Sequence, residues 1–209
     1  MKEIALFPLN IVAFPGEAVN LHIFEPRYKA LINDCLNQKA TFGIPSYVLN
    51  KIDLGTEVEI VEVSKMYEDG RMDIKTKALK VFQVFDFWNP WGEREYAGGK
   101  IDHFDTDEGE TDLSMLYQFK EMASRLFGWL GETDVPDVST ITSVFDIGHK
   151  IGFKPEEEYK LLHFSGENER IEYAIKHLEH LLPALERANN AQEKIKQNGH
   201  FKHLDPLKF

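Results

Sequence analysis

A single cysteine, Cys35, among 209 residues excludes an internal disulfide and a multi-thiolate zinc site. Cationic side chains are also in short supply, with 24 Lys and Arg against 35 Asp and Glu and a formal charge of −11. Binding to nucleic acid or to an anionic membrane rests on neutralising phosphates, so this balance has the wrong sign for either. No run approaches the roughly 20 consecutive apolar residues that span a bilayer. The opening Met1-Lys2-Glu3-Ile4-Ala5 lacks the apolar core of a signal peptide. The cytoplasm is therefore the expected compartment, with no membrane partner.

Recognisable catalytic machinery is scarce as well. Gly98-Gly99-Lys100 lacks the upstream glycine of a phosphate loop and is followed by Ile101, so no nucleotide cofactor is expected. Cys35 lies on the apolar stripe of a helix, which favours a buried, inert thiol over a nucleophile. His177 and His180 stand three apart on a helical pattern, but spacing nominates no third ligand; they read as a solvated pair, as do His200 and His203. Glu156 to Glu158 are most simply a charge cluster at a helix start. Neither a metal nor a catalytic residue is predicted, and no enzyme activity is expected.

What is present is an ordinary globular composition, 43% hydrophobic, 12% aromatic and 28% charged, in a chain that suits one large domain or two small ones. Residues 1–104 carry 12 basic and 15 acidic side chains, and residues 105–209 carry 12 and 20. Periodicity changes at the same place, from mostly 2 to mostly 3 to 4. The predicted division is a β-rich unit with one helix over 1–104, an acidic connection over 105–112, a helical bundle over 113–197 and a loose tail over 198–209.

Within the first unit the pattern predicts strands at 4–9, 19–23, 42–49, 56–63, 63–67, 72–76, 79–87 and 96–104, with an Asp69-Gly70 hairpin turn. Val58 and Ile60 alternate there with outward Glu57 and Glu59. Pro26 opens a helix whose apolar stripe is Tyr28, Leu31, Ile32, Cys35 and Leu36. So many strands with one short helix point to a closed or nearly closed barrel, which protects sheet edges. In the second unit, helices are predicted over 116–130 with Gly131 as the stop, over 140–151, from Pro155 to His163, and over 171–185 with a kink or restart at Pro183.

One segment has binding character. Trp88 and Trp91 flank Asn89-Pro90 in a turn, followed by Glu93, Arg94, Glu95 and Tyr96. Two roles are open, packing anchors for a neighbouring loop or a ligand platform of Trp88, Trp91, Arg94 and Tyr96.

The run Leu6-Phe7-Pro8-Leu9-Asn10, then Phe14-Pro15-Gly16, then Leu21-His22-Ile23-Phe24-Glu25-Pro26-Arg27-Tyr28 resembles the opening of the Lon protease N-terminal (substrate-binding) domain. Gly55-Thr56-Glu57-Val58, Ile60-Val61-Glu62-Val63, Asp69-Gly70-Arg71, Glu158-Tyr159-Lys160-Leu161-Leu162 and Glu169-Arg170-Ile171 continue the match in order, so it spans about residues 4–187. Lys80-Val81-Phe82 stands where the family has an Arg-rich run. The resemblance implies an α+β fold: a PUA-like β-barrel-type domain followed by a small helical bundle. The ATPase and protease modules of full Lon proteases are not expected in a chain ending at Phe209.

Among the matched residues, Pro8, Pro15, Gly16 and Pro26 are expected to set turns and a helix start, and Phe7, Phe14, Ile23 and Phe24 to be core. Glu25 and Arg27 are expected to brace the corner before Tyr28. The function implied is a non-catalytic module that binds exposed apolar or unfolded polypeptide segments, alone or for a separate Lon-type or other AAA+ protease. The alternative from the implied fold is RNA binding, against which the charge argues; a hydrolase built on His and carboxylates finds no support in spacing. No pattern specifies an oligomeric state.

Overall fold

The computed structural model describes residues 1–104, 109–130 and 135–200, with side chains for all of these but 130 and 192–200. Alternation makes Lys2–Leu6 (β1) and Ala18–Ile23 (β2) half-buried strands, β2 turning Val19 and Ile23 inward and Ala18, Asn20 and His22 outward. Pro26 begins α1 (Pro26–Gln38), where its missing N–H would have no partner, and Lys39 ends it at a left-handed φ of 51°. Tyr28, Leu31, Ile32 and Cys35 form the buried stripe. Leu36 is 39% exposed, a correction, because it is rotated about 100° from Cys35 and falls at the margin.

The remaining strands are Phe42–Pro45 (β3), Leu54–Met66 (β4), Met72–Trp88 (β5) and Ala97–His103 (β6). The pairs of strands predicted at 56–67 and 72–87 are each one long strand. Met72, Ile74, Thr76 and Ala78 keep the period of 2 unbroken, and register shifts along β4–β5 let the hairpin coil instead of break. β3 stops at Pro45, which has no N–H to extend the ladder, and Leu9 retains only an isolated bridge to Ser46.

Strand order is β2-β5-β4-β3-β1-β6, and β6 also pairs with β5, so five strands close into a ring. It is not a clean barrel. The β1–β3 seam rests on one parallel pair, Leu6 opposite Gly43, and β2 is attached outside the closure. Leu6 and Phe82 fill the ring. A Cβ on Gly43 would lie 2.7 Å from both side chains, one on Gly55 2.8 Å from Phe82, and one on Gly99 2.6 Å from Leu6. Glycine is what lets the strands close around two large groups.

Glu57, expected to face solvent, is 5% exposed. A register shift beside it turns it to the strand ends, where it accepts from Lys2 Nζ at 2.6 Å and is also hydrogen-bonded by Thr41 Oγ1 and His103 Nε2. Burial favours the neutral acid, but those three hydrogen bonds and the Lys2 charge outweigh it and hold the carboxyl below its usual range.

The second half contains α2 (Leu113–Leu130), α3 (Pro155–Leu161) and α4 (Glu167–His200). The helix predicted over 140–151 is instead a chain of single 3₁₀ turns, Val138–Thr140, Val144–Asp146 and Gly148–Lys150. Asp137 and Ser143 bind nearby backbone N–H groups with their side chains, and Asp146 completes a capping box, so local bonds replace the α-helical ladder. α4 runs as one helix through Pro183, held by buried Leu178 and Leu182 before it. It continues to His200, so the tail predicted from 198 starts as helix. Residues 105–108 of the acidic connection, the Gly131 stop and residues 201–209 of the tail lie outside the described residues.

The largest core draws Val12, Phe14, Leu54 and Val81 from the strand half into a cluster with Phe119, Leu126, Tyr159, Ile171 and Leu178 of the helical half. Phe14 is fully buried and stacks on Phe145 at 5.1 Å and His149 at 4.4 Å. Beneath it, a Cβ on Gly148 would come within 2.6 Å of its ring. Arg170, also fully buried, donates to Glu167 Oε2 and to the Phe164 carbonyl, both at 2.9 Å, over the Phe145 ring. Glu167 in turn accepts from Val144 N at 2.7 Å.

His149 bonds Glu158 Oε1 at 2.9 Å and Glu17 Oε2 at 3.1 Å, joining the two halves. Burial would lower its pKa, but the two carboxylates dominate and push it up to about 9. The imidazolium thus stabilises in full below its ordinary value of 6.5, and the contribution is lost as pH rises through about 9. Discounted for the screening of a partly exposed side chain, this is on the order of 1 kcal/mol, or about 2–4 °C in Tm. That fall should appear between neutral and alkaline pH in the parent and be absent in His149→Gln; equal slopes would refute it.

Phe14→Ala empties the junction of the two halves and is expected to cost about 3–5 kcal/mol, roughly 10 °C in Tm. Thermal unfolding followed by circular dichroism checks this, and a change below about 3 °C would show that the ring is not a principal tie.

Candidate functional site

The 88–96 turn is built by local bonds. Trp88 ends β5, the Asn89–Pro90 peptide is cis, Gly92 takes φ 62°, Trp91 N donates to Tyr96 O at 2.9 Å and Arg94 N to Trp91 O at 3.1 Å. The Trp88 and Trp91 rings stack at 6.3 Å with a 23° interplanar angle, and the Arg94 guanidinium lies 4.0 Å from the Trp91 centroid. Trp91 rests on bare backbone, since a Cβ on Gly98 would be 2.3 Å from its ring.

Tyr96 is 3% exposed, and its hydroxyl donates to Asp34 Oδ2 on α1 at 2.6 Å. Burial, then that bond and the Asp34 charge, push the phenol up to about 12, so it stays neutral and fixes the turn to the helix. Between the turn, the end of α1 and β1 lies a cleft of about 370 Å³. Trp91, Arg94 and Tyr96 line it with Lys2, Glu3, Asp34, Cys35 and Lys39. Three of the four residues singled out from sequence therefore share one cleft, and Trp88 joins them through its stack on Trp91. Asp34 and Lys39 were not singled out; nothing in their spacing relates them to a turn about fifty residues on.

The cleft offers flat rings, a guanidinium, two ammonium groups and two carboxylates. Burial and the adjacent Asp34 push the Cys35 thiol up to about 11, which keeps it protonated and un-nucleophilic at neutral pH. Among the described residues no group of three or more His, Cys, Asp or Glu is placed to hold a metal. His177 packs 4.3 Å from Phe153 and bonds the Ile151 carbonyl at 3.0 Å. Its neighbour His180 is exposed; the side chain of His200 and all of His203 lie outside the described residues. No helix among the described residues is long and apolar enough to cross a membrane.

The motif residues near the start of the chain lie elsewhere. Phe7 stacks on Tyr28 at 3.8 Å, and Arg27 pairs with Glu25 at 2.9 Å while sitting 4.5 Å over the Tyr28 ring. Pro8 lies in the segment after β1. Pro15 and Gly16, the latter at φ 92°, turn the chain into β2, with Gly16 N donating to Ala78 O at 2.9 Å. Phe24 is a correction: it is 58% exposed, because the residue after inward-facing Ile23 points outward, where it stacks on His22 at 6.0 Å.

A five-strand ring with an added edge strand is packed against helices and carries a polar-rimmed aromatic cleft. The family model described as ATP-dependent protease La (LON) substrate-binding domain matches residues 3–180, and the chain belongs to that family. The domain of that family binds substrate and is not the catalytic part. Among solved structures it is similar to a Lon N-terminal domain protein from Xanthomonas campestris, at 20% identity over 88% of this chain and 98% of that one, TM-score 0.62. It is also similar to the N-terminal domain of a Mycobacterium avium complex Lon protease, at 14% identity over 85% and 98%, TM-score 0.64. These likenesses carry the α+β fold. No curated protein matches the chain by sequence. Neither the family nor these neighbours lends support to RNA binding.

Gly98→Ala should drive a methyl group into the Trp91 ring, costing about 1–3 kcal/mol and shifting tryptophan emission to the red as the stack opens. Unchanged emission and Tm would mean that Trp91 is not seated on Gly98.

Proposed function

We propose that this protein binds exposed apolar or unfolded polypeptide segments on the Trp88–Trp91 turn and the cleft beside it, and passes them to a separate ATP-dependent protease. Membership of a substrate-binding family supports the class of activity. The observation that carries the place is the ordered stack of Arg94, Trp91 and Trp88 at the rim of a cleft. Such rings offer large contact area at low entropic cost, and the Arg94, Lys39 and Glu3 charges supply a polar rim. Glycine under Trp91 and the Tyr96–Asp34 bond pre-organise the platform, which reduces the ordering cost on binding.

Trp88→Ala is expected to weaken retention of a denatured client, such as reduced and alkylated lactalbumin, by roughly 30-fold with little change in Tm. Trp91→Ala should lose both binding and stability, because that ring also covers Gly98. Fluorescence anisotropy of labelled client beside thermal unfolding separates the two. Client binding that survives Trp88→Ala intact, in folded protein, would refute the platform.

A further inference from the structure

Among the described residues, β2 is bonded on one side only. It lies at the end of the strand order and pairs with β5 from Ala18 opposite Lys77 to Ile23 opposite Met72 without a register shift. Ala78 N donates to Glu17 O at 2.9 Å, so residue 17 directs its carbonyl to β5. That direction alternates along an antiparallel strand. Val19 and Leu21 therefore bond β5, in line with Thr76 Oγ1 donating to Val19 O at 2.9 Å. Ala18, Asn20 and His22 turn their N–H and C=O to the open side, and among the described residues none of these three peptide groups bonds another element.

Open edges are ordinarily blunted by lysine, proline, a bulge or a covering loop. Ala18-Val19-Asn20-Leu21-His22-Ile23 contains no Lys, Arg, Asp, Glu or Pro and no bulge. Its outward residues Ala18, Asn20 and His22 are all exposed. Beside the first half of the strand runs a groove of about 450 Å³, lined by Ile11, Val12, Val19, Pro155, Glu17 and Glu158 among others. Ile11, 40% exposed, stands at one end of the edge and Phe24, 58% exposed, at the other. Two carboxylates, Glu17 and Glu158, share His149, the one cationic side chain among the described residues that line this groove, which leaves the wall negative in a chain of charge −11.

The geometry points to β2 as a strand-addition site: an extended polypeptide segment alternating apolar and basic residues pairs its main chain with Ala18, Asn20 and His22. Its apolar side chains lie against Ile11, Val12 and Pro155, and a basic one meets the Glu17–Glu158 wall. Six residues at about 3.3 Å each give an edge of roughly 20 Å, the length of an ordinary strand. Main-chain pairing is indifferent to side-chain identity, so such an edge accepts many sequences. The inference rests on the proposed function for the class of ligand, but not for its place on the molecule.

The test uses the whole chain and an end-blocked octapeptide of four Val-Lys repeats. In the free protein, the Ala18, Asn20 and His22 amides should exchange with deuterium at least tenfold faster than those of Val19, Leu21 and Ile23, and the peptide should slow the first three by tenfold or more. N-methylation of either the valines or the lysines, but not of both sets alike, should abolish binding. Asn20→Pro, which removes an outward donor and no β5 bond, should weaken the peptide tenfold; the methylated peptides decide the matter if that variant folds poorly. Protection confined to other residues, or equal effects of the two methylated peptides, would overturn the proposal. Protection that grows with protein concentration without peptide would overturn it in favour of pairing between two copies. The same exchange pattern should persist in Trp88→Ala, so failure of the tryptophan platform and failure of the edge are read separately.

Discussion

Phe14 belongs by sequence to the loop between the first two strands and by contact to the core of the helical half. Its backbone N–H donates to Glu17 Oε1 at 3.0 Å, and the other oxygen of that carboxylate reaches His149. One buried ring and one carboxylate thus hold the 10–17 loop against the 3₁₀ turns. Everything on that side of the molecule follows from this insertion. The groove along β2 has one wall from each half, and the inner face of β2 is oriented by the turn that Phe14 anchors.

Charges in the interior obey the same economy. Glu57 among Lys2, Thr41 and His103, Arg170 over the Phe145 ring with its partner Glu167 bonded to Val144 N, and His149 between two carboxylates are each placed where elements distant in sequence must meet. A buried ion pair adds little net stability against an apolar substitute, but breaking one is costly. These groups therefore fix which strand ends and turns adjoin more than they add to the depth of the fold. The excess negative charge of the chain remains largely on the surface, where it would favour basic segments in the polypeptide partners proposed above.

Two faces offer different kinds of grip. In the roles proposed for them, the tryptophan stack presents flat apolar area and would select by side chain, whereas the open edge of β2 presents backbone donors and acceptors and would select by extended conformation. On those two proposals, a segment that is both unfolded and apolar would satisfy both faces. Discrimination of that sort needs no catalytic group.

The strand and helix character of most segments was legible in the sequence, because it depends on local periodicity: β2, α1 with Pro26 at its start, the Asp69-Gly70 hairpin and the apolar stripes of α2 and α4. The turn at Trp88 to Tyr96 was legible for the same reason, proline and small residues acting over a few bonds. Local rules misjudged residues 140–151, where hydrophobic spacing mimicked a helix while Ser, Thr and Asp side chains took the backbone bonds. They also misplaced Glu57 and Phe24, since a register shift and a strand end decide which face a residue occupies. The strand order that closes the ring, the pairing of Tyr96 with Asp34, the bridging of Glu17 and Glu158 by His149, and the choice of β2 as the unpaired edge came only from tertiary structure. Each depends on which segments meet across tens of residues, and periodicity along a chain carries no record of what lies across from it.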